Sequence, residues 1–229
     1  KEVIEVDYSV ILKEKRIITI FTMLAVIIEM SVLFAGSLSL ERVLFFIALF
    51  IYQIRFMYLI WFLKPRSLTF QAASSQKNPL IIDYLLNSLF FVVFPLGYTF
   101  LHETFYAKWS LGSTVQLIMF VLYLLGTGIT MISEYQRKKI KQTNPEANYR
   151  LHGLFKYAIY INYFGETLAL PSLFYLSSGS IIIFVVIMAQ QVLDFSFVQI
   201  PRQVTYIKKN YPDEADKILS QKKLIPFIY

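Results

Sequence analysis

Apolar residues gather in six long blocks along this chain, at 17–36, 43–63, 80–101, 115–132, 157–176 and 181–200. A bilayer core of about 30 Å takes a helix of roughly 20 residues, and each block meets or approaches that length. The pattern predicts an all-α integral membrane bundle of six transmembrane helices, a single domain over 1–229 with no separate soluble part. Gly165, Glu166 and Pro171 interrupt the fifth block, so a kinked, tilted or partly re-entrant segment is expected there. The longest polar stretches are 133–156 and the tail after Pro201.

Composition agrees with this pattern. Hydrophobic residues make up 56% of the 229, and the mean hydropathy is +0.54. Cysteine is absent, which removes disulfides and thiolate chemistry. The first block is too long for a signal-peptide core and lacks a cleavage site, and a leading helix before Lys1 is left open.

Charge sets an expected orientation. With residues 1–16 in the cytoplasm and six alternating helices, the cytoplasmic segments are 1–16, 64–79, 133–156 and the C-terminal tail. These carry 19 of the 22 Lys and Arg residues, the outer loops carry only Arg42 and Lys108, and Arg55 lies within a helix. That is a strong positive-inside bias, and it puts both described ends in the cytoplasm of a multi-pass protein of a bacterial inner membrane or the endoplasmic reticulum. The net charge of +7 is then orientation and contact with anionic membrane lipids. No basic face stands on a soluble domain, which argues against nucleic acid. A monomer is expected.

Five ionisable residues fall inside the blocks: Glu29, Arg55, Asp83, Glu166 and Asp194. Each costs about 2.5–3.5 kcal/mol at mid-bilayer on insertion scales, so each needs a partner or water. Asp83 and Asp194 lie near helix ends and read as interfacial or capping groups. Glu29 is seven residues from the outer end of the first helix and Tyr52 nine from that of the second. A short connection makes these two helices antiparallel neighbours, with Glu29 and Tyr52 at similar depth. Arg55 is one turn deeper, and Asn87 of the third helix reaches its level. A plain Glu29–Arg55 neutralisation between helices is the structural alternative.

The approach to the fifth block is the most informative stretch. Residues 134–141, Glu-Tyr-Gln-Arg-Lys-Lys-Ile-Lys, continue the fourth helix until Asn144-Pro145 breaks it. Glu134 and Lys138, and Arg137 and Lys141, share faces at i,i+4. A solvated stop signal is the ordinary meaning of such a run. A phosphate clamp is the sharper one, since cations beside Tyr149 and Arg150 suit a dinucleotide. Asn162 and Glu166 follow on one helical face. No Gly-x-Gly-x-x-Gly follows a strand, and Gly126-Thr127-Gly128 reads as helix packing. His102 and His152 have no ligand spacing with each other, so no metal site is expected.

Tyr149-Arg150, Gly153-Leu154-Phe155 and Asn162-Tyr163-Phe164-Gly165-Glu166 together resemble the C-terminal domain of steroid 5α-reductases. The ending from Tyr211-Pro212 to Ile225-Pro226-Phe227 looks like that family's closing sequence, and Tyr52-Gln53-Ile54-Arg55 like its Tyr-x-x-Arg element. Ile28-Glu29-Met30-Ser31 is a looser match to its acidic element. The resemblance covers about residues 28–229. Ser31, Ile51 and Thr130 stand where the family has Pro, His and Asn, and 197–204 has Arg202 but no His.

The resemblance implies an NADPH-dependent reductase of a carbon–carbon double bond conjugated to a carbonyl, in a steroid-like or other lipidic substrate. It implies a seven-helix bundle around a cofactor and substrate cavity. Asn162, Tyr163 and Glu166 would hold the nicotinamide and neighbouring groups. Glu134, Lys138, Lys141, Tyr149 and Arg150 would line the remainder, with Arg55, Asn87 and Arg202 as further cofactor contacts. Tyr52 and Glu29 would engage the substrate carbonyl as catalytic residues. A phenol can donate to the oxygen that gains charge on hydride addition, and a carboxyl in apolar surroundings tends to stay neutral, which favours donation. A trans-2-enoyl-CoA or polyprenol reductase is the alternative within the superfamily. A non-catalytic lipid- or partner-binding membrane protein is the alternative outside enzymes.

Overall fold

The computed structural model describes residues 8–63, 81–102, 105, 110–144 and 148–226. Among them the only regular structure is helix. The chain divides into two compact units, residues 1–103 and 104–229.

The first unit holds α1 (Tyr8–Phe34), α2 (Leu40–Tyr58), which widens into a π-helical turn over Leu59–Leu63, and α3 (Ile81–Leu101). Ser39 starts α2: its hydroxyl accepts from the Arg42 amide at 3.3 Å, and Glu41 places a negative charge in the first turn. The expected α1–α2 contact is present, but α1 meets α3 more broadly. Rings fill the contact between α2 and α3. Phe45 stacks on Tyr98 at 4.7 Å and meets Phe94 edge-on at 5.4 Å.

The second unit holds α4 (Ser113–Thr143), α5 (Ile161–Ser178), α6 (Ile181–Asp194), a π-helical turn at Phe195–Gln199, α7 (Ile200–Asn210) and α8 (Ala215–Leu219). α4 ends where the sequence says it must: Asn144, held before a proline, turns to φ −142°, ψ 87°. Gly179 closes α5 in the left-handed region at φ 68°, and the Ser180 hydroxyl accepts from Ile183 N at 3.4 Å to open α6. Two residues therefore stop one helix and start the next. Pro201 sits in the first turn of α7, where its missing N–H costs nothing.

The fifth apolar block is resolved differently from its expectation. Residues 157–160 are turn, and α5 then runs unbroken through Pro171. It is buried along its length, packed by α4 on one side and α6 on the other. Its hydroxyls fold back on their own helix, Thr167 to Phe164 O and Ser172 to Leu168 O, both at 2.7 Å. Gln116 of α4 donates to Leu176 O at 3.0 Å, satisfying a last-turn carbonyl.

α4 and α5 approach closely at two glycines. A Cβ on Gly126 would lie 2.5 Å from Gly165 O, and one on Gly165 would lie 2.6 Å from Gly126 O. Of the Gly-Thr-Gly sequence, Gly126 is thus a packing position, whereas Gly128 has nothing within 4 Å of where a Cβ would stand.

Among the described residues, four helical stretches, 15–34, 40–63, 113–143 and 181–210, are long and apolar enough to cross a membrane. Large apolar side chains such as Ile27, Val186 and Phe197 are exposed along them. These features fit a multi-pass membrane protein.

Candidate functional site

In the second unit, the residues singled out from sequence converge on the base of α4 and the turns before α5. Asn148 accepts from Arg150 N through its Oδ1 at 3.2 Å and starts a 3-10 turn, Tyr149–Leu151. A second such turn follows at Gly153–Lys156. Gly153 has φ 58°, and a Cβ there would lie 2.3 Å from Gln136 Oε1. That oxygen accepts from Leu154 N at 2.8 Å, which ties the turn to α4. Gly153 and the Leu154 amide are therefore needed as backbone, while the Phe155 ring is buried against Tyr149.

Tyr149 is ringed by cations. Arg150 lies 4.6 Å from its centroid, Lys141 5.2 Å and Arg137 5.9 Å. Arg150 also lies 5.9 Å from the Tyr211 ring. Arg150 is only 3% exposed, and its Nε and Nη1 have no hydrogen-bond partner among the described residues. The Asn148 Nδ2 and the Tyr160 hydroxyl are likewise buried without partners among the described residues.

Glu134 organises the adjoining side. One oxygen accepts from Asn162 Nδ2 at 3.2 Å, and the other pairs with Arg137 one turn along α4. Thr130, standing where the resembled family has Asn, shares its hydroxyl between Gly126 O and Asn162 O at 3.1 and 3.2 Å. Tyr163 stacks flat on Phe195 at 4.5 Å and on Tyr160 at 5.6 Å. Glu166, one turn beyond Asn162, and Lys138 on α4 are each half-buried.

The chain's end closes on the same region. Lys222 O and Lys223 O accept from Ile159 N and Tyr160 N, each at 2.9 Å. Leu224 is buried with Ile159, Ile207 and Ile218, and Tyr163 and Tyr211 pack against them. Two sequence blocks that carry the resemblance, Asn162–Glu166 and the Leu-Ile-Pro ending, are thus neighbours in space. Burial pushes the Tyr211 phenol above its ordinary value. Arg202 is exposed on α7 and joins none of these contacts.

Comparison with protein-family models and with curated proteins finds no match.

The first unit holds the other candidates. Glu29 is fully buried in α1. Its partner is Gln53, whose Nε2 donates to Glu29 Oε1 at 2.6 Å. Glu29 makes no ion pair with Arg55 among the described residues, so the simple neutralisation between helices is not formed. Arg55 instead lies over Tyr52, 5.1 Å from its centroid. Tyr52 faces α3, meeting Phe91 at 5.5 Å and Phe90 at 6.2 Å. Glu29 and residues 52–53 are level, as the depth count requires, but adjacent residues of α2 point about 100° apart, and the residue aimed at Glu29 is Gln53. Asn87 falls in α3 at a stretch whose side chains lie outside the described ones, as does Asp83.

Sequence reading passed over Gln53, Asn148, Tyr160 and Tyr211. The signal for Gln53 was available: an amide in an apolar block is as costly as Asn162, which was noticed.

Proposed function

We propose that the chain is a membrane-embedded, NADPH-dependent reductase of a carbon–carbon double bond conjugated to a carbonyl in a steroid-like or other lipidic substrate. We read it as crossing the membrane six times with both described ends in the cytoplasm, as the distribution of Lys and Arg supports. The observation that carries the enzymatic reading is Arg150: a buried side chain, set between Tyr149 and Tyr211, with two donor nitrogens that meet no acceptor among the described residues. An unpaired buried cation is costly, so an anionic occupant is the natural complement.

The residues present fit NADPH. Arg150, Lys141 and Lys138 supply cations for its phosphates, and Tyr149 supplies a flat aromatic face. Asn162 and Glu134 offer an amide donor and a carboxylate acceptor to a carboxamide, with Glu166 one turn along. NADPH supplies a hydride when bound. In the first unit, the Tyr52 hydroxyl donates to the substrate carbonyl oxygen as charge develops there.

The direct test is titration of the purified chain with NADPH, followed by NADPH oxidation over a panel of lipidic enones. Micromolar binding that Arg150→Ala weakens, with oxidation dependent on an enone, is the expected result. A chain that neither binds NADPH nor oxidises it with any enone is not this reductase.

A further inference from the structure

A cavity of about 370 Å³ lies in unit 2 between the foot of α4 and the turn at 152–153. Gln136, Lys139, Ile140, Asn144, His152 and Gly153 line it. Lys139, Asn144 and His152 are exposed, so their polar ends are within reach of a ligand. The cavity is separate from the Tyr149 cluster. At about 100° per residue, Gln136, Lys139 and Ile140 share one face of α4, and Glu134, Arg137 and Lys141 share another, roughly 140° round the helix. The chain beyond α4 touches both faces: Tyr149 meets Arg137 and Lys141, and Leu154 N meets Gln136.

These walls favour an anion. Gln136 Oε1 is taken by Leu154 N, while the amide nitrogen of the same side chain makes no hydrogen bond among the described residues. Lys139 has no carboxylate partner among them, and the one acid of α4, Glu134, is turned to Arg137 and Asn162. The Asn144 amide can turn its nitrogen inward, and an imidazole offers at least one N–H. Four donor side chains, one of them a cation, therefore line one space. No Phe, Tyr or Trp lines it, so it lacks the flat face that Tyr149 offers to a base or a nicotinamide. A phosphomonoester suits such walls, with three acceptor oxygens and nearly two negative charges.

Height allows two sources. The apolar part of α4 ends at Ile132, and residues 136–140 follow about 6–12 Å further along the helix. With α4 across a bilayer, that is the headgroup layer and the water just outside it.

We propose that this cavity binds a phosphomonoester group, carried by a membrane lipid or by a small soluble molecule. The site goes beyond the reductase reading, since it uses none of the residues assigned to NADPH.

The test follows the ring signal of His152 by NMR, in the purified chain carrying labelled histidine, in nanodiscs at fixed pH and ionic strength, without NADPH. The chain has two histidines, and His152→Gln assigns the signals. Phosphatidylcholine discs receive phosphatidic acid in one arm and soluble glycerol 3-phosphate, its headgroup, in another. Phosphatidylglycerol, a phosphodiester, is added at matched surface charge in a third. The His152 signal is expected to move saturably with phosphatidic acid, with glycerol phosphate or with both, and the responding arm names the source. Lys139→Ala should raise the midpoint about tenfold, the worth of one charge-assisted hydrogen bond, and Lys139→Arg should restore most of it. No movement in either phosphomonoester arm would overturn the proposal. Equal movement with phosphatidylglycerol would overturn it too, as surface charge alone, and so would an unchanged midpoint in Lys139→Ala. The three wild-type arms decide the matter even where a variant does not fold. Because NADPH is absent throughout, failure here leaves the reductase reading standing, and success does not establish it.

Discussion

In unit 1 the buried Glu29 meets one neutral partner, the Gln53 amide, whereas in unit 2 the buried Arg150 meets the faces of Tyr149 and Tyr211. The first arrangement leaves acceptor atoms over, Glu29 Oε2 and Gln53 Oε1; the second leaves donors, Arg150 Nε and Nη1. The surroundings match that difference. Apolar walls open on exposed apolar surface around Gln53, while Arg137, Lys141 and the turns before α5 crowd Arg150. Polar leftovers in a buried place say what kind of molecule would complete it, and their sign differs between the two units.

Damage to packing should separate the units most sharply. Gly165→Val drives a side chain into Gly126 O and Thr130 Oγ1. Overpacking costs 1–3 kcal/mol and sometimes more, and here about 3 kcal/mol is expected. Amide exchange should quicken across 113–178 and stay unchanged across 15–63. Equal loss in both regions would show that they do not behave as separate units.

Chemistry should come next. Tyr52→Phe is expected to reduce enone turnover about a hundredfold, in line with loss of a positioned proton donor, with NADPH affinity unchanged. Full turnover in that variant would remove Tyr52 from the mechanism. Arg150→Ala should weaken NADPH by about ten- to a hundredfold, the worth of one or two charge-assisted hydrogen bonds. Calorimetry of the purified variant reads this directly, and an unaltered affinity would leave Arg150 as structure only.

A smaller effect concerns pH. Burial raises the Tyr211 phenol in the folded chain, so its contribution to stability is complete below the ordinary value of about 10 and is lost as pH rises through the folded value. Tyr211→Phe should flatten the alkaline limb of thermal unfolding between about pH 10 and 12. An identical alkaline limb in both proteins would assign that loss of stability elsewhere.

Most of the helices could be read from the sequence because apolar runs of bilayer length leave little else to form. The end of α4 was legible too, since Asn144-Pro145 disfavours helix locally. α5 was harder. Glycine, glutamate and proline argue for a broken segment, and what overrides them is contact on both sides, which no local rule contains. Within the candidate site, Glu134, Asn162, Tyr149 and Arg150 stood out by charge or by amide chemistry in apolar surroundings. Tyr160 and Tyr211 did not, being two of sixteen tyrosines. The partner of Glu29 was missed because the search followed ionisable residues, and a neutral glutamine one position from Tyr52 answers the carboxyl equally well.

The burial of α5 bears on how the chain is made. Gly165, Thr167, Ser172, Ser177 and Ser178 give this helix a poor claim on lipid when it emerges alone. Its close seat on α4 at Gly126, and the short Gly179-Ser180 turn into α6, offer it shelter on both sides. In the six-span reading proposed above, insertion then has an order: α4 waits beside the insertion site, and α5 enters as the inner arm of a hairpin with the far more apolar α6.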